Sequence, residues 1–356
     1  MIEPLACATT PDCDPFESLA RELDAIGDAA RADLGERDRA YITRVIETQR
    51  RLEVSARALL LAARFAPAAA LGTMLLALAK ILENMEIGHN VMHGQWDWMQ
   101  DPDINSASWE WDAVSTATSW KHAHNFQHHV FTNIIGRDRD LGYSAMRVEA
   151  EQPWHPVYLA QPLYFFLMAL VFEWGIALYD LELDAVRRGE KSRAKARVEI
   201  VALLRKARGQ ILKDYVLFPL LAGKGARKAL AGNVTANAIR NVWVHTIVFC
   251  GHIPDGAETF SEEEYLGETR GGWYRRQLLG SCNLEGGRLF HLLSGNLSFQ
   301  IEHHLFPDLP SNRYAEIAPK VKAVCERHGL PYNSGRLGRQ YRSVYRQILR
   351  LALPGV

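Results

Sequence analysis

The chain has 356 residues, and its 41 lysines and arginines balance its 41 aspartates and glutamates, so the formal net charge is zero. This length suits one large domain or two small ones. The charge balance argues against nucleic acid as a partner, because such proteins carry a basic surface. Five scattered cysteines without a Cys-x-x-Cys pair indicate free thiols in a reducing compartment.

The first fifteen residues are acidic and proline-containing and lack the features of a signal peptide, so we expect a disordered tail at residues 1–15. Residues 16–55 carry apolar side chains at helical spacing among many charges, which predicts two amphipathic helices. We expect residues 56–356 to form one domain that is part membrane and part polar.

Residues 56–82 are the most apolar run of the chain. As a single helix this run would extend about 40 Å, more than the roughly 30 Å thickness of a hydrocarbon core. Pro67 lies near its middle, which leaves open one long kinked span or a tight pair of helices. The tryptophan-rich stretch 94–112 is typical of an interfacial aromatic belt or of a tunnel wall. Residues 136–140, Gly-Arg-Asp-Arg-Asp, predict a polar surface turn.

Three later segments bear on membrane topology. Residues 157–179 are apolar and long enough to cross, whereas residues 187–213 carry ten lysines and arginines and are expected in the cytoplasm. We favour a crossing pair at residues 211–222 and 229–251, with residues 157–179 in the interface or re-entering. The alternative is that residues 157–179 cross and one later run does not. Polar residues in the run 229–251 are expected to face the protein interior.

Three histidine clusters carry the chemistry. They are His89 with His93, then His124 with His128 and His129, and finally His303 with His304 after Gln300. On a helix, adjacent imidazoles diverge by about 100° and can serve two neighbouring metal ions. Imidazole suits iron, zinc and copper, and no cysteine lies beside the clusters. Seven imidazoles exceed the needs of one tetrahedral zinc, so two ions, with iron the best fit, are expected; a zinc hydrolase would need fewer ligands.

The pattern His-x3-His, His-x3-His-His and Gln-x2-His-His, with Phe299–Pro307 around the last cluster, resembles the histidine boxes of the integral-membrane fatty acid desaturase family. The resemblance extends from about Arg51 to Leu353 and is strongest to bacterial stearoyl-CoA-type acyl desaturases. It implies an all-α, membrane-embedded helical bundle with about four transmembrane helices and interfacial helices. A cytosolic helical cap would carry a di-iron histidine site.

The resemblance also implies the metal ligands, which are His89, His93, His124, His128, His129, His252, His303 and His304. His252 is included because the family has a histidine at the end of its last span. Gln300 stands where some members have histidine and is a further candidate ligand. His122 and His245 are candidates for orienting the ligands, and His155, His291 and His328 are expected to be structural or exposed.

The implied function is an O2-dependent acyl desaturase that inserts a cis double bond into a fatty acyl chain, carried as acyl-CoA or acyl-lipid. The expected position is delta-9 of a stearoyl or palmitoyl chain. A fatty acyl or lipid hydroxylase on the same di-iron scaffold is the alternative, because both reactions begin with the same C–H cleavage. Two Fe ions are the expected cofactors, and zinc can replace them in a purified sample.

The sequence contains no nucleotide-binding, haem-binding or iron–sulfur motif. Electrons are therefore expected from a separate ferredoxin, cytochrome b5-like protein or flavoprotein reductase. The basic segment 187–213 is a candidate docking site for that donor, for the CoA phosphates or for anionic membrane lipid. The expected location is the inner (cytoplasmic) membrane, with the metal site on the cytoplasmic side.

Overall fold

The computed structural model describes residues 14–355, so all but the last two residues of the tail expected at residues 1–15 lie outside the described range. The α-helices are α1 (Glu17–Ala32), α2 (Glu36–Leu61), α3 (Ala66–Leu82), α4 (Asn90–Met92), α5 (Ala117–Lys121), α6 (His129–Phe131), α7 (Gln161–Leu170), α8 (Phe172–Tyr179), α9 (Leu183–Arg188), α10 (Arg193–Ile211), α11 (Phe218–Leu221), α12 (Ala226–His252), α13 (Glu262–Tyr265), α14 (Arg270–Leu279), α15 (Arg288–Leu293), α16 (Gln300–Leu305), α17 (Tyr314–Arg327) and α18 (Leu337–Leu351). Three π-helical segments are Glu83–His89, His122–His128 and Leu212–Leu217. Two short strands, β1 (Asn283–Glu285) and β2 (Ser334–Arg336), pair in parallel.

The two N-terminal helices pack on the part of the chain that carries the third histidine cluster. α1 buries Leu19 and Leu23 in a core shared with α14, α16 and α17. At the start of α2, Asp38 accepts hydrogen bonds from the buried Arg313 guanidinium at 2.7 Å. α2 continues to Leu61, past the boundary expected at residue 55.

α2 and α3 form a tight antiparallel pair, so the apolar run 56–82 is a helical pair and not one kinked span. Pro67 lies in the first turn of α3, where its missing N–H costs no hydrogen bond. Gly72 allows close approach, since a β-carbon there would lie 3.0 Å from Leu60 Cγ. α3 continues through the first π-helical segment and α4 as one helix, Ala66–Met92.

A second helical hairpin packs against the first. Its outgoing arm is α10, the π-helical segment 212–217 and α11, and its returning arm is α12. The two hairpin turns meet, because a β-carbon on Gly225 would lie 2.6 Å from the Arg64 backbone nitrogen. His89 lies near the end of the continuous helix α3–α4 that is far from its hairpin turn, and His252 lies at the corresponding end of α12. The histidines therefore gather far from the turns.

Within the described range, only the helix Ala66–Met92 is by itself long and apolar enough to cross a membrane. The segments Pro156–Leu170 and Phe172–Arg188 meet that standard only together, and they are bent by 98°. A bend of this size occurs in a broken span and in a re-entrant loop, so the re-entrant arrangement stays a prediction. The mostly helical architecture is confirmed, and the number of crossing helices stays a prediction.

The interior of the two hairpins is charged. As expected, the polar side chains of α12 are buried: Asn233, Asn237, Arg240 and Asn241. Asp214 pairs with Arg57 at 2.8 Å and with Lys80 at 2.9 Å, and Lys80 also pairs with Asp112 at 2.9 Å. Buried charges are tolerated when each has a partner, so these pairs join α2, α3 and the second hairpin at fixed positions.

The tryptophan-rich stretch 94–112 does not form a single aromatic belt. Trp96 is fully buried in a core with Ile42 and Ile46 of α2. Trp111 packs against Trp120 with ring centroids 5.3 Å apart, and both line an internal cavity. The tunnel-wall alternative therefore suits Trp111, whereas Trp96 is a packing residue.

Candidate metal centre

The first two histidine clusters lie on π-helical turns. His89 ends the segment Glu83–His89, and the segment His122–His128 contains His124 and His128. A π turn adds one residue to a helical turn and is common at functional sites. The rings of His89 and His93 have centroids 4.6 Å apart, and those of His124 and His128 are 5.1 Å apart.

The third cluster lies on α16, which is buried along its whole length. Asn283 holds this helix, since its Oδ1 accepts from the Ile301 backbone N–H at 2.9 Å and its Nδ2 donates to Glu302 at 2.9 Å. The Tyr332 hydroxyl donates to the other Glu302 oxygen at 2.8 Å. Glu302 thus anchors α16 outside the site, while His303 and His304 face inward.

The structure divides seven histidines into two groups, in each of which one ring nitrogen per residue lies within 4.8 Å of the others. The first group is His89, His93, His124 and His303, and the second is His128, His252 and His304. The adjacent residues His303 and His304 belong to different groups, as the divergence of neighbouring imidazoles predicts. A third such group, His124 with His128 and Asp140, joins the other two, so these histidines form one continuous site that could hold metal.

The eighth histidine, His129, lies between the two groups. Its ring centroid is 4.6 Å from that of His93, 4.8 Å from that of His303 and 4.4 Å from that of His304. Both of its ring nitrogens are buried without a hydrogen-bond partner. Every histidine that the resemblance implied as a ligand is thus in one cluster.

Two carboxylates that the sequence did not single out hold the second histidine cluster. Asp138 Oδ1 lies 2.9 Å from His128 Nδ1, and Asp140 Oδ2 lies 2.9 Å from His124 Nδ1. Gly136 and Arg137 are exposed in a polar turn, as the sequence predicts, but Asp138 is buried. Gly136, with φ of +79°, reverses the chain and returns both acids to the histidines.

Other acceptors hold three more rings at Nδ1. The His252 Nδ1–H donates to the Gly280 carbonyl at 3.0 Å, and the His304 Nδ1–H donates to Gln277 Oε1 at 3.0 Å. The His89 Nδ1–H donates to Asn90 Oδ1 at 2.9 Å. Such contacts fix the tautomer in which Nε2 carries no hydrogen and keeps a lone pair for a metal ion.

The rings are suited to metal binding, which needs neutral imidazole. Burial, reinforced by neighbouring imidazoles, holds the pKa values of His129, His303 and His304 well below the usual range. Burial also disfavours charge on His128, but the Asp138 carboxylate outweighs it and raises the pKa of His128. A metal ion on the free nitrogen of His128 would take the place of that proton.

Unpaired ring nitrogens in the cluster fit a metal site. The Nε2 atoms of His93, His303 and His304 are buried without any hydrogen-bond partner, although Nδ1 of His303 and His304 is partnered. Burying so many polar atoms unpaired is costly in a folded protein. An all-nitrogen donor set of this kind fits iron or zinc.

Gln300 lies beside the second group. Its Nε2 lies 2.9 Å from His252 Nε2, and its Oε1 is buried without a hydrogen-bond partner. Because His252 Nδ1 carries the hydrogen, His252 Nε2 accepts in this contact. Gln300 is therefore close enough to the site to offer an amide oxygen.

The remaining histidines lie apart from this cluster in the described chain. His122 is half-exposed, faces Glu182 at 3.8 Å and stacks on Phe126. His245 is buried against Phe165, Phe172 and Phe249, with both ring nitrogens unpaired. Neither contacts the eight clustered histidines, so the structure does not support the orienting roles considered for them. His155 and His291 make local contacts with Val157 and Ser298, and His328 contacts Glu22 of α1, as expected of structural residues.

An internal cavity of about 70 Å³ reaches the site. Its histidine end is formed by His89, His124, His128, His252 and Gln300. Its walls include Trp111, Phe172, Ile176, Val244 and Val248, and most of its exposed surface is apolar, while Glu173, Asp180 and Arg240 also line it. An apolar cavity that ends at a candidate metal centre suits a hydrocarbon substrate.

Comparisons with known proteins agree with this geometry. Residues 65–336 match the family model described as fatty acid desaturase. The chain is 48% identical over 343 residues to the NADPH-dependent stearoyl-CoA 9-desaturase of Mycobacterium tuberculosis, covering 95% of this chain and 80% of that protein. It is 27% identical over 275 residues to the sn-1 linoleoyl-lipid 6-desaturase of Synechocystis, covering 75% of each chain. Fatty acid desaturase 3 of Bos taurus is 30% identical over 223 residues, covering 60% of this chain and 46% of that protein.

Proposed function

The chain belongs to the fatty acid desaturase family, and on that premise we propose that it is an O2-dependent desaturase of long-chain acyl-CoA with two metal ions. The observation that carries this proposal is the pair of histidine groups, which contain buried ring nitrogens without hydrogen-bond partners and of which His89, His124, His128 and His252 border the cavity. The pairing of a nitrogen-rich metal site with an apolar cavity suits oxidation of an alkyl chain.

Each group would hold one ion. The first ion would bind His89, His93, His124 and His303, and the second would bind His128, His252 and His304. His129, which lies between the groups, would complete one of them, and Gln300 is the remaining candidate donor beside His252. Two ferrous ions would supply the activation of O2 that cleavage of an unactivated C–H bond requires.

The protein residues would position the alkyl chain and exclude water. Val244, Val248 and His252 lie four residues apart on one face of α12, so the apolar lining leads directly to a candidate ligand. Phe172 and Trp111 close other walls of the cavity. The substrate named for the Mycobacterium relative, stearoyl-CoA, and its position 9 are the proposed substrate and site of desaturation here.

The electrons would come from a separate protein. The Mycobacterium relative is named as NADPH-dependent, which supports a reductase that draws on NADPH. This chain lacks the glycine-rich motif that binds such a dinucleotide. We therefore favour a flavoprotein reductase as donor, directly or through a ferredoxin.

The parts of the two helical hairpins nearest their turns would cross the membrane, with the histidines and the basic helix α10 on the cytoplasmic side. Exposed apolar side chains near the hairpin turns support this orientation: Leu61, Phe65, Leu71, Met74, Leu217, Leu220, Leu221, Leu230 and Val234. Large exposed apolar surfaces mark contact with lipid or a partner. Basic segments lie at the histidine end, in keeping with the positive-inside rule.

Analysis of cellular fatty acids tests the proposal. A host that expresses the chain should gain a monounsaturated acid with the double bond at carbon 9, and the His304→Ala variant should not produce it. A hydroxylated acid in place of the alkene would favour the hydroxylase alternative. Elemental analysis of the purified protein should give two metal ions per chain, and a single ion at full loading would contradict the site.

A further inference from the structure

The last helix, α18, has a cationic outer face. Its buried face carries Val344, Ile348 and Leu351 and packs against α7 and α12. The outer face and the residue that precedes the helix carry five exposed arginines: Arg336, Arg339, Arg342, Arg346 and Arg350. Their spacing of three or four residues aligns them on one side of the helix. No aspartate or glutamate follows Glu326 in the sequence, so any acidic partner of this row comes from another part of the chain.

Most of these arginines have no acidic partner. Arg346 pairs with Asp255, and both of these side chains are exposed. Among the residues that the structure describes, the other four arginines have no carboxylate within ion-pair distance. A row of uncompensated positive charges repels itself unless an anionic surface lies against it.

The row borders exposed apolar surface. Tyr345 packs on Phe166 of α7 with ring centroids 5.2 Å apart, and Phe166 itself is 44% exposed. Leu163 of α7 is 66% exposed, and Leu353 just beyond α18 is 53% exposed. A helix with a cationic stripe beside an apolar stripe is the form that lies in the headgroup region of a bilayer.

We propose that the outer face of α18 binds the headgroups of anionic phospholipids at the bilayer surface. The exposed apolar side chains of Leu163 and Leu353 favour a bilayer over a soluble acidic protein, because a bilayer offers acyl chains as well as anionic headgroups. Val344 and Ile348 share a core with Phe249 and Ile253, so α18 lies at the histidine end of α12. This surface would therefore hold the candidate metal end of the molecule against an anionic leaflet, independently of the reaction catalysed there.

Amide hydrogen exchange of the full chain in lipid nanodiscs tests this binding. Exchange at residues 337–351 is compared between discs of phosphatidylcholine and discs that also contain phosphatidylglycerol, without acyl-CoA or electron donor. Each arginine near an anionic surface strengthens binding about fivefold, so exchange should slow several-fold in the anionic discs. The slowing should weaken as salt is added, because charges at such distances are screened.

Matched double variants give the control. Arg339→Gln with Arg342→Gln should strongly reduce the lipid-dependent slowing, whereas Lys320→Gln with Lys322→Gln, two exposed lysines of α17, should leave it unchanged. Equal exchange of the arginine variant and the unmodified chain in phosphatidylcholine shows that α18 is still folded. Equal exchange in both lipids for the unmodified chain would overturn the proposal, as would slowing that occurs only when an acidic protein or acyl-CoA is added.

Discussion

At the scale of single residues, the acceptors behind the imidazoles decide which ring nitrogen is free. The Gly280 carbonyl cannot donate a hydrogen bond, so His252 must carry its hydrogen on Nδ1 and present Nε2 to the site. The Asp138 carboxylate likewise accepts from His128 Nδ1, so His128 also presents Nε2 to the site. The fold thus sets the tautomers of the candidate ligands before any metal binds, which lowers the cost of assembling the site.

Asp138→Asn should weaken metal binding. Asparagine keeps the shape of the side chain but removes the charge that faces His128 Nδ1, and such changes cost roughly 10–100-fold in metal affinity. Competition with a chelator, followed by elemental analysis, measures the loss. Asp184→Asn is the control, because Asp184 pairs with Arg139 and Arg188 away from the histidines. Equal metal retention by both variants would contradict a role for Asp138 in holding the site.

His252→Ala should lose metal and activity together, because His252 faces His128 and His304 with ring centroids 4.6 Å away from each. His245→Ala, two turns deeper in α12, should keep its metal. That second change removes a ring packed on Phe249, so a lower melting temperature is expected. Metal content of the two purified variants separates the cases. A His252→Ala protein with both metals would exclude His252 as a ligand.

The sequence predicts the histidines of the site far better than the residues that support them. Seven histidines occur in obvious clusters, and family resemblance adds His252. Asp138 and Asp140 were missed because residues 136–140 look like an exposed turn, and only the chain reversal at Gly136 brings them to the histidines. Two acids soon after a histidine cluster were the available signal, since metal-binding imidazoles usually have a carboxylate or carbonyl partner.

At the scale of elements, the π-helical turns and the hairpin contacts could not be predicted. No residue pattern in the first cluster distinguishes a π turn from an α turn, because packing selects it. A β-carbon on Gly88 would lie 2.8 Å from the Glu83 carbonyl oxygen and 3.0 Å from Trp111 Cβ, which ties this segment to the cavity wall. Likewise, Pro67 in the sequence is compatible with one kinked span or with a pair of helices, and only the packing of α2 against α3 shows that the pair forms.

Gly225→Ala should destabilise the protein. The added methyl group would meet the Arg64 backbone nitrogen at 2.6 Å, and backbone cannot move aside as a side-chain tip can. Overpacking of this kind costs about 1–3 kcal/mol. Gly209→Ala in α10 is the matched control, because no atom lies within 4 Å of the added carbon and alanine favours helix by about 1 kcal/mol. Thermal unfolding in detergent compares them, and an unchanged Gly225→Ala protein would refute the close contact of the two turns.

At the scale of the whole molecule, the two hairpins separate two ends of different chemistry. The turns at residues 62–65 and 223–225 form one end, bordered by exposed apolar side chains. The histidines, the cavity and α18 occupy the other end. α12 connects them and, with 27 residues, is about 40 Å long, enough to exceed the roughly 30 Å hydrocarbon core.

This separation predicts that the two ends lie on opposite sides of the membrane. Lys224, in the second hairpin turn, and Arg339, on α18, are both exposed and suit replacement by cysteine. Cys250, Cys282 and Cys325 are buried, so serine at Cys7 and Cys13 should leave little background labelling. With a membrane-impermeant maleimide, Lys224→Cys should react in intact cells, whereas Arg339→Cys should react only in inverted vesicles.

The arginine row of α18 and the basic residues of α10 favour the cytoplasm for the histidine end. Reaction of both cysteines from the same side would show that the hairpins do not cross, and the exposed apolar surface would then have to meet the bilayer from one face.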